Sequence, residues 1–296
     1  MSASRFAPFL AALPVIAVLA LAGTVVVGAI LEVAIFRPLY NRDHLEQVRR
    51  DAMTDALTNL ANRKAFDEEL ERLNATINEM GGLTESQFAR ALEAVRDRNT
   101  AAAEQVIAED ARVDALDAQV QQQTVQLLAL RQPMAVDLRV VLSSIKIAAA
   151  LERIADYAKN TAKRSIVLTQ GAAPASAVSG IDRLGRLVRT ALKDVLDAFA
   201  NDDVEKARDV WQRDEEIDQV YTGLFRELLT YMMEDPRNIT FCTHLLFCAK
   251  NVERIGDHTT NIAETIHYLA TGETLPTDRP KNDRSSFATL APQPEA

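Results

Sequence analysis

From residue 67 to about residue 270, apolar side chains return every three or four positions. Leu70, Leu73, Ile77 and Met80 do so, as do Val106, Val113, Leu116 and Val120 with one turn skipped. That spacing lays one buried stripe along a helix. No segment shows the period-two alternation of a half-buried strand. The pattern predicts helices over 67–97, 100–131, 134–166, 181–200, 203–233 and 237–270. The breaks carry suitable chemistry. Asp97-Arg98-Asn99-Thr100 and Asn201-Asp202-Asp203 supply turn and cap residues, while Gln132-Pro133 and Asp235-Pro236 each end one helix and open another. An all-α fold of two tandem three-helix bundles follows.

The same pattern divides the rest of the chain. Residues 6–31 are almost unbroken apolar, with Pro14 inside and no charge until Glu32, a length that spans a bilayer as one helix. Arg5 precedes the run and Arg37, Arg42, Arg49 and Arg50 follow it. The heavier positive charge on the C-terminal side predicts a membrane tether with the remainder of the chain in the cytoplasm. The expected organisation is a transmembrane segment (1–36), a linker (37–66), a first repeat (67–169), a flexible linker rich in small residues (170–180), a second repeat (181–271) and a disordered tail (272–296). Two short stretches resemble other families. Gly28 to Leu45 is similar to an early segment of branched-chain amino-acid permeases, and Asp55 to Phe66 to the opening of diguanylate cyclase domains. Neither continues: Gly81-Gly82 runs into Leu-Thr-Glu, which is not the cyclase signature.

Composition narrows the function classes. The 296-residue chain is 48% hydrophobic with 5% aromatics, dominated by helix-forming residues. Its net charge of −9 argues against non-specific nucleic-acid binding, which needs a basic surface, and is compatible with binding cations. Cys242 and Cys248 lie six residues apart in one helix and point about 120° away from each other, so they read as buried free thiols.

The candidate chemistry lies in a phrase that occurs twice. Leu151-Glu152-Arg153-Ile154-Ala155-Asp156 returns 101 residues later as Val252-Glu253-Arg254-Ile255-Gly256-Asp257, each copy followed by an Asn (Asn160, Asn261). Asp110-x-x-x-Asp114 likewise returns as Asp214-x-x-x-Asp218. Two motifs repeated in order mark a duplicated unit. Residues i and i+4 share a helix face, so each pair converges two carboxylates, and packing two helices would assemble four in each repeat. Hard divalent cations favour such oxygen donors: iron in carboxylate sites, manganese or magnesium. The candidate metal ligands are therefore Asp110, Asp114, Glu152 and Asp156 in repeat 1, and Asp214, Asp218, Glu253 and Asp257 in repeat 2. A single pair of this spacing is ordinarily a solvated acidic face, partly neutralised here by Arg153 and Arg254. Repetition of both pairs is what points to metal. Glu264-Thr-Ile-His267 has the E-x-x-H spacing of di-iron bundles, yet its counterpart is Lys163-Arg-Ser-Ile166. No nucleotide-binding loop, G-x-S-x-G, H-E-x-x-H or CxxC pair occurs, so no catalytic residue or organic cofactor is expected.

The two E-R-I-x-D-x-x-x-N phrases, Leu130-Arg-Gln-Pro133 with Asp137-Leu-Arg139, Leu196-Asp-Ala-Phe199 and Thr230-Tyr-Met-Met-Glu-Asp-Pro236 together resemble the PhoU family over about residues 69–275. The resemblance implies two tandem three-helix bundles, a homodimer, and a non-enzymatic negative regulator of phosphate uptake and of the phosphate-starvation response. The implied partners are the ATPase subunit of the phosphate ABC transporter and a phosphate-sensing histidine kinase. It also implies metal clusters on the E/D-x-x-x-D motifs at the eight positions above. The departures are Ala155 opposite Gly256 and the first 66 residues. Two alternatives stand beside this reading: a carboxylate-bridged metalloenzyme, and a membrane-tethered scaffold that works without metal.

Overall fold

A computed structural model describes the backbone of residues 42–171 and 175–276 and the side chains of residues 62–171 and 176–276. The apolar run at 6–31 and the tail beyond Pro276 lie outside the described residues, and among the described residues no helix is long and apolar enough to cross a membrane. The chain divides into two units, residues 1–65 and 66–296. In the first, the backbone is helical from Arg42. The expected linker is therefore helix over its described part, in a stretch that contains neither glycine nor proline.

Helix α1 spans Arg42–Asp97 and belongs to the second unit from Phe66 onward. It is followed by α2 (Thr100–Arg131), α3 (Val136–Leu168), α4 (Ala175–Ala200), α5 (Val204–Gln212), α6 (Asp214–Glu234), a 3-10 turn (Pro236–Asn238) and α7 (Ile239–Thr271). The described elements are all helical. Two bounds differ from expectation. The linker placed at 170–180 is shorter because α4 already opens at Ala175; Ala177, Ile181 and Leu184 are buried at helical spacing, and their packing outweighs the weak propensity of the neighbouring Ser and Gly. The single helix expected over 203–233 is interrupted at Arg213. Asp214, Glu215 and Glu216 fill the first turn beyond the interruption, where carboxylates favour a fresh helix N-terminus.

Within each repeat the first two helices run antiparallel. In repeat 1, Arg131 pairs with Glu69 at 2.6 Å, and Arg90 grips Glu109 with both guanidinium nitrogens. In repeat 2, Arg213 pairs with Asp194 at 2.7 Å. Positions 90 and 194, like 109 and 213, are equivalent under the 104-residue offset, so the same cross-helix pair exists twice with its charges exchanged. The caps repeat as well. Asn99 accepts the backbone N–H of Ala102 at 3.1 Å and Asp203 that of Lys206 at 2.9 Å, after the left-handed residues Arg98 and Asp202.

A local pseudo-twofold relates the repeats. A Cβ on Gly81 would meet Leu196, and one on Gly185 would meet Leu92; both pairs are equivalent under the same offset. The missing side chains let α1 and α4 approach closely at two symmetric points. Helices α3 and α7 form the central antiparallel pair. Arg164 stacks on Phe247 at 4.0 Å, Tyr157 on His258 at 5.7 Å, and Arg139 lies over Tyr268 at 5.9 Å. Tyr157 and His258 are themselves repeat-equivalent, so the axis passes between them. Phe88, Leu127, Leu151, Ile154, Leu184, Leu192 and Leu228 are among the fully buried core side chains.

Candidate functional site

The acidic phrases lie where the second and third helices of each repeat face one another. In repeat 1, Asp110 is almost fully buried on α2, and Glu152 and Asp156 are half-buried on α3. Lys159, one turn beyond Asp156, places its ammonium 2.5 Å from Asp110 Oδ2 and 2.5 Å from Asp156 Oδ1. Burial alone would lower the pKa of that ammonium, but its hydrogen bonds to Asp110 and Asp156 outweigh burial and push it up. Asp114 is exposed as a residue, yet lost hydration of its carboxyl and then the charge of Asp110 push it up. Glu152 is raised by burial, then by Asp156, with Arg153 opposing and Asp117 and Asp114 adding to the rise. The four expected residues thus share one field, joined by Asp117 and Lys159.

Repeat 2 is drier and differently compensated. Asp214 and Asp218 on α6 and Glu253 on α7 are 3%, 4% and 4% exposed. They flank the contact of Ile217 with Gly256, where an added Cβ would lie 3.3 Å from Ile217 Cγ2. At Ala155, the repeat-1 counterpart, a methyl group is accommodated. Thr260, the counterpart of Lys159, donates its hydroxyl to Asp214 Oδ1 at 3.0 Å. Lys250 reaches Glu253 Oε1 at 2.8 Å, and Asp257 is half-buried one residue beyond Gly256. Asp214 also lies in the first turn of α6, where the backbone amides favour a carboxylate. Asp110, by contrast, lies in mid-helix.

Other candidates resolve without joining these clusters. Asn160 and Asn261 are exposed. Glu264 accepts the indole N–H of Trp211 at 3.1 Å, and His267 Nδ1 contacts the Glu273 carbonyl at 3.1 Å, so E-x-x-H does not converge on the carboxylates. Arg254 crosses to Tyr157, 3.3 Å from its hydroxyl. Cys242 and Cys248 are free and buried. Lys159, Thr260 and Lys250 were missed by sequence reasoning. For Lys159 the signal existed, three residues beyond Asp156 on the same face, but only Arg153 and Arg254 were weighed as neutralising cations.

Among the described residues, no group of three or more His, Cys, Asp or Glu side chains is placed to hold a metal ion. In repeat 1 the donors do not fit one as they stand, because the Lys159 ammonium already lies between Asp110 and Asp156.

Two pseudo-symmetric three-helix repeats, each closing an acidic face between its second and third helices, define a duplicated helical-bundle protein. Comparison with known proteins identifies the class further. The PhoU domain matches residues 77–165 and 181–266. The phosphate-specific transport system accessory protein PhoU homolog of Rhizobium meliloti (strain 1021) is 53% identical over 222 residues, covering 75% of this chain and 94% of the relative. That of Caulobacter vibrioides (strain NA1000 / CB15N) is 51% identical over 220 residues, 74% of this chain and 96% of the relative. The crystal structure of PhoU from Pseudomonas aeruginosa superimposes with a TM-score of 0.69 at 38% identity, covering 70% of this chain and all of that one. The chain belongs to the PhoU family.

Proposed function

We propose that this protein is a non-enzymatic accessory regulator of phosphate uptake, restraining the phosphate-starvation response when phosphate is plentiful. It acts between the ATPase subunit of a phosphate ABC transporter and a phosphate-sensing histidine kinase, as a cytoplasmic homodimer that the apolar segment at 6–31 tethers to the membrane. The observation that carries this reading is the match across both repeats to relatives named as accessory proteins of the phosphate-specific transport system. Two features support a binding role. The acidic faces are engaged in structural ion pairs and hydrogen bonds, and the turns between α2 and α3 and between α6 and α7 carry exposed apolar residues, Leu130, Met134 and Val136 at the first and Met233 and Ile239 at the second, as a partner surface would. A bias of a few kcal/mol between two kinase states is enough for a strong switch.

The test is alkaline phosphatase activity in phosphate-replete cells lacking this gene. Derepression on deletion, reversed by the full chain, is the expected result. Activity that stays low after deletion, with no second copy of the gene present, refutes the regulatory role.

A further inference from the structure

The two acidic faces are equivalent by duplication and unlike in charge compensation. Asp110 and Asp214 occupy the same position, as do Asp156 and Asp257, but the residue facing the buried aspartate is Lys159 in one repeat and Thr260 in the other. The local backbone explains the difference. Asp214 lies in the first turn of α6, where the helix N-terminus favours a carboxylate. Asp110 lies inside the unbroken α2 and receives no such help, so a buried carboxylate there requires a cation from elsewhere. The face around it carries Asp114, Asp117, Glu152 and Asp156, which interact with one another, and the exposed Arg153, 3.5 Å from Glu152 and 4.0 Å from Asp156. The one cation that touches carboxylates on both helices, among the described residues, is Lys159.

We infer that Lys159 is the resident cation of repeat 1: its ammonium holds the position between α2 and α3 that a divalent metal would take, so this repeat closes without metal. Lys159 is then a built-in substitute for a ligand, and it limits the chain's metal content whatever repeat 2 binds. A tethered ammonium needs no assembly step and cannot be removed by a chelator.

The test uses the full chain, freed of metal with EDTA and titrated with Mn2+ by calorimetry, with bound manganese counted by mass spectrometry. With Lys159 retained, D110N/D156N should leave manganese stoichiometry unchanged from wild type; a loss of one ion per chain would show that metal displaces the lysine and would overturn the inference. K159T, which copies the residue present in repeat 2, should bind one more Mn2+ per chain than wild type and gain thermal stability on adding it. A folded K159T protein that takes up no additional ion also overturns it. Neither readout depends on the regulatory role proposed above. Because the D110N/D156N comparison keeps Lys159, a K159T protein that fails to fold does not remove the test.

Discussion

The exchanged pair across the first two helices of each repeat permits a sharp test of the duplication. Arg90–Glu109 in repeat 1 is bidentate, with side chains 25% and 30% exposed; Asp194–Arg213 in repeat 2 is the same contact with reversed charges, 23% and 36% exposed. The R90D substitution removes the pair and sets two carboxylates face to face. Loss of a well-formed, partly buried ion pair costs about 1 kcal/mol. Like-charge repulsion at about 4 Å adds about 1 kcal/mol or more, since the effective dielectric there lies below that of water. R90D should therefore destabilise by about 2 kcal/mol, and E109R by a similar amount. In a protein this size that lowers the midpoint by about 4–8 °C each. The double swap R90D/E109R rebuilds the contact that repeat 2 already uses, and should lie within about 1 kcal/mol of wild type, a coupling of about 3 kcal/mol. Urea unfolding of the four proteins, with m-values checked for constancy, measures the cycle. Additive effects, leaving the double variant about 4 kcal/mol less stable, would refute both the pair's contribution and the equivalence of the positions.

Three further outcomes follow from the same structure. Removing the caps with N99A or D203A should cost about 1 kcal/mol each in urea unfolding, and near-identical losses are expected because the two caps are repeat-equivalent. Lys159 is raised above an unfolded lysine, so the stability it contributes is complete below pH of about 10.4 and fades as the pH rises through its folded value. The wild-type thermal midpoint should thus fall more steeply than that of K159T between about pH 10 and pH 11.5, and parallel curves would contradict the bridge. Burial pushes the Cys248 thiol up to about 12 and raises that of Cys242, so neither should react with a thiol reagent at pH 8 until the protein is unfolded; stoichiometric labelling of the native protein would refute the packing of α7.

The all-helical fold, the duplication and the pairing of acidic residues on single helix faces were all readable in the sequence. They are local properties: a three-to-four-residue apolar period, capping residues at the breaks, and i, i+4 spacing each act within a few turns of the chain. Gly81 and Gly185 were visible as glycines, but not as the two points where α1 and α4 approach. The interruption at Arg213 was likewise hidden, because Asp214-Glu215-Glu216 suits either a helix interior or a new N-terminus. The contacts that reach the buried aspartates from another helix were decided by tertiary structure. Lys159 reaches Asp110 across 49 residues of chain, and Trp211 takes Glu264 across 53. The repeated E/D-x-x-x-D spacing placed equal charge on both faces, while packing supplied an ammonium to one and a hydroxyl with a helix N-terminus to the other. Sequence spacing sets which side chains share a helix face. What cation or dipole compensates them depends on which other helix lies within about 4 Å, since a buried charge is stabilised only by groups that touch it.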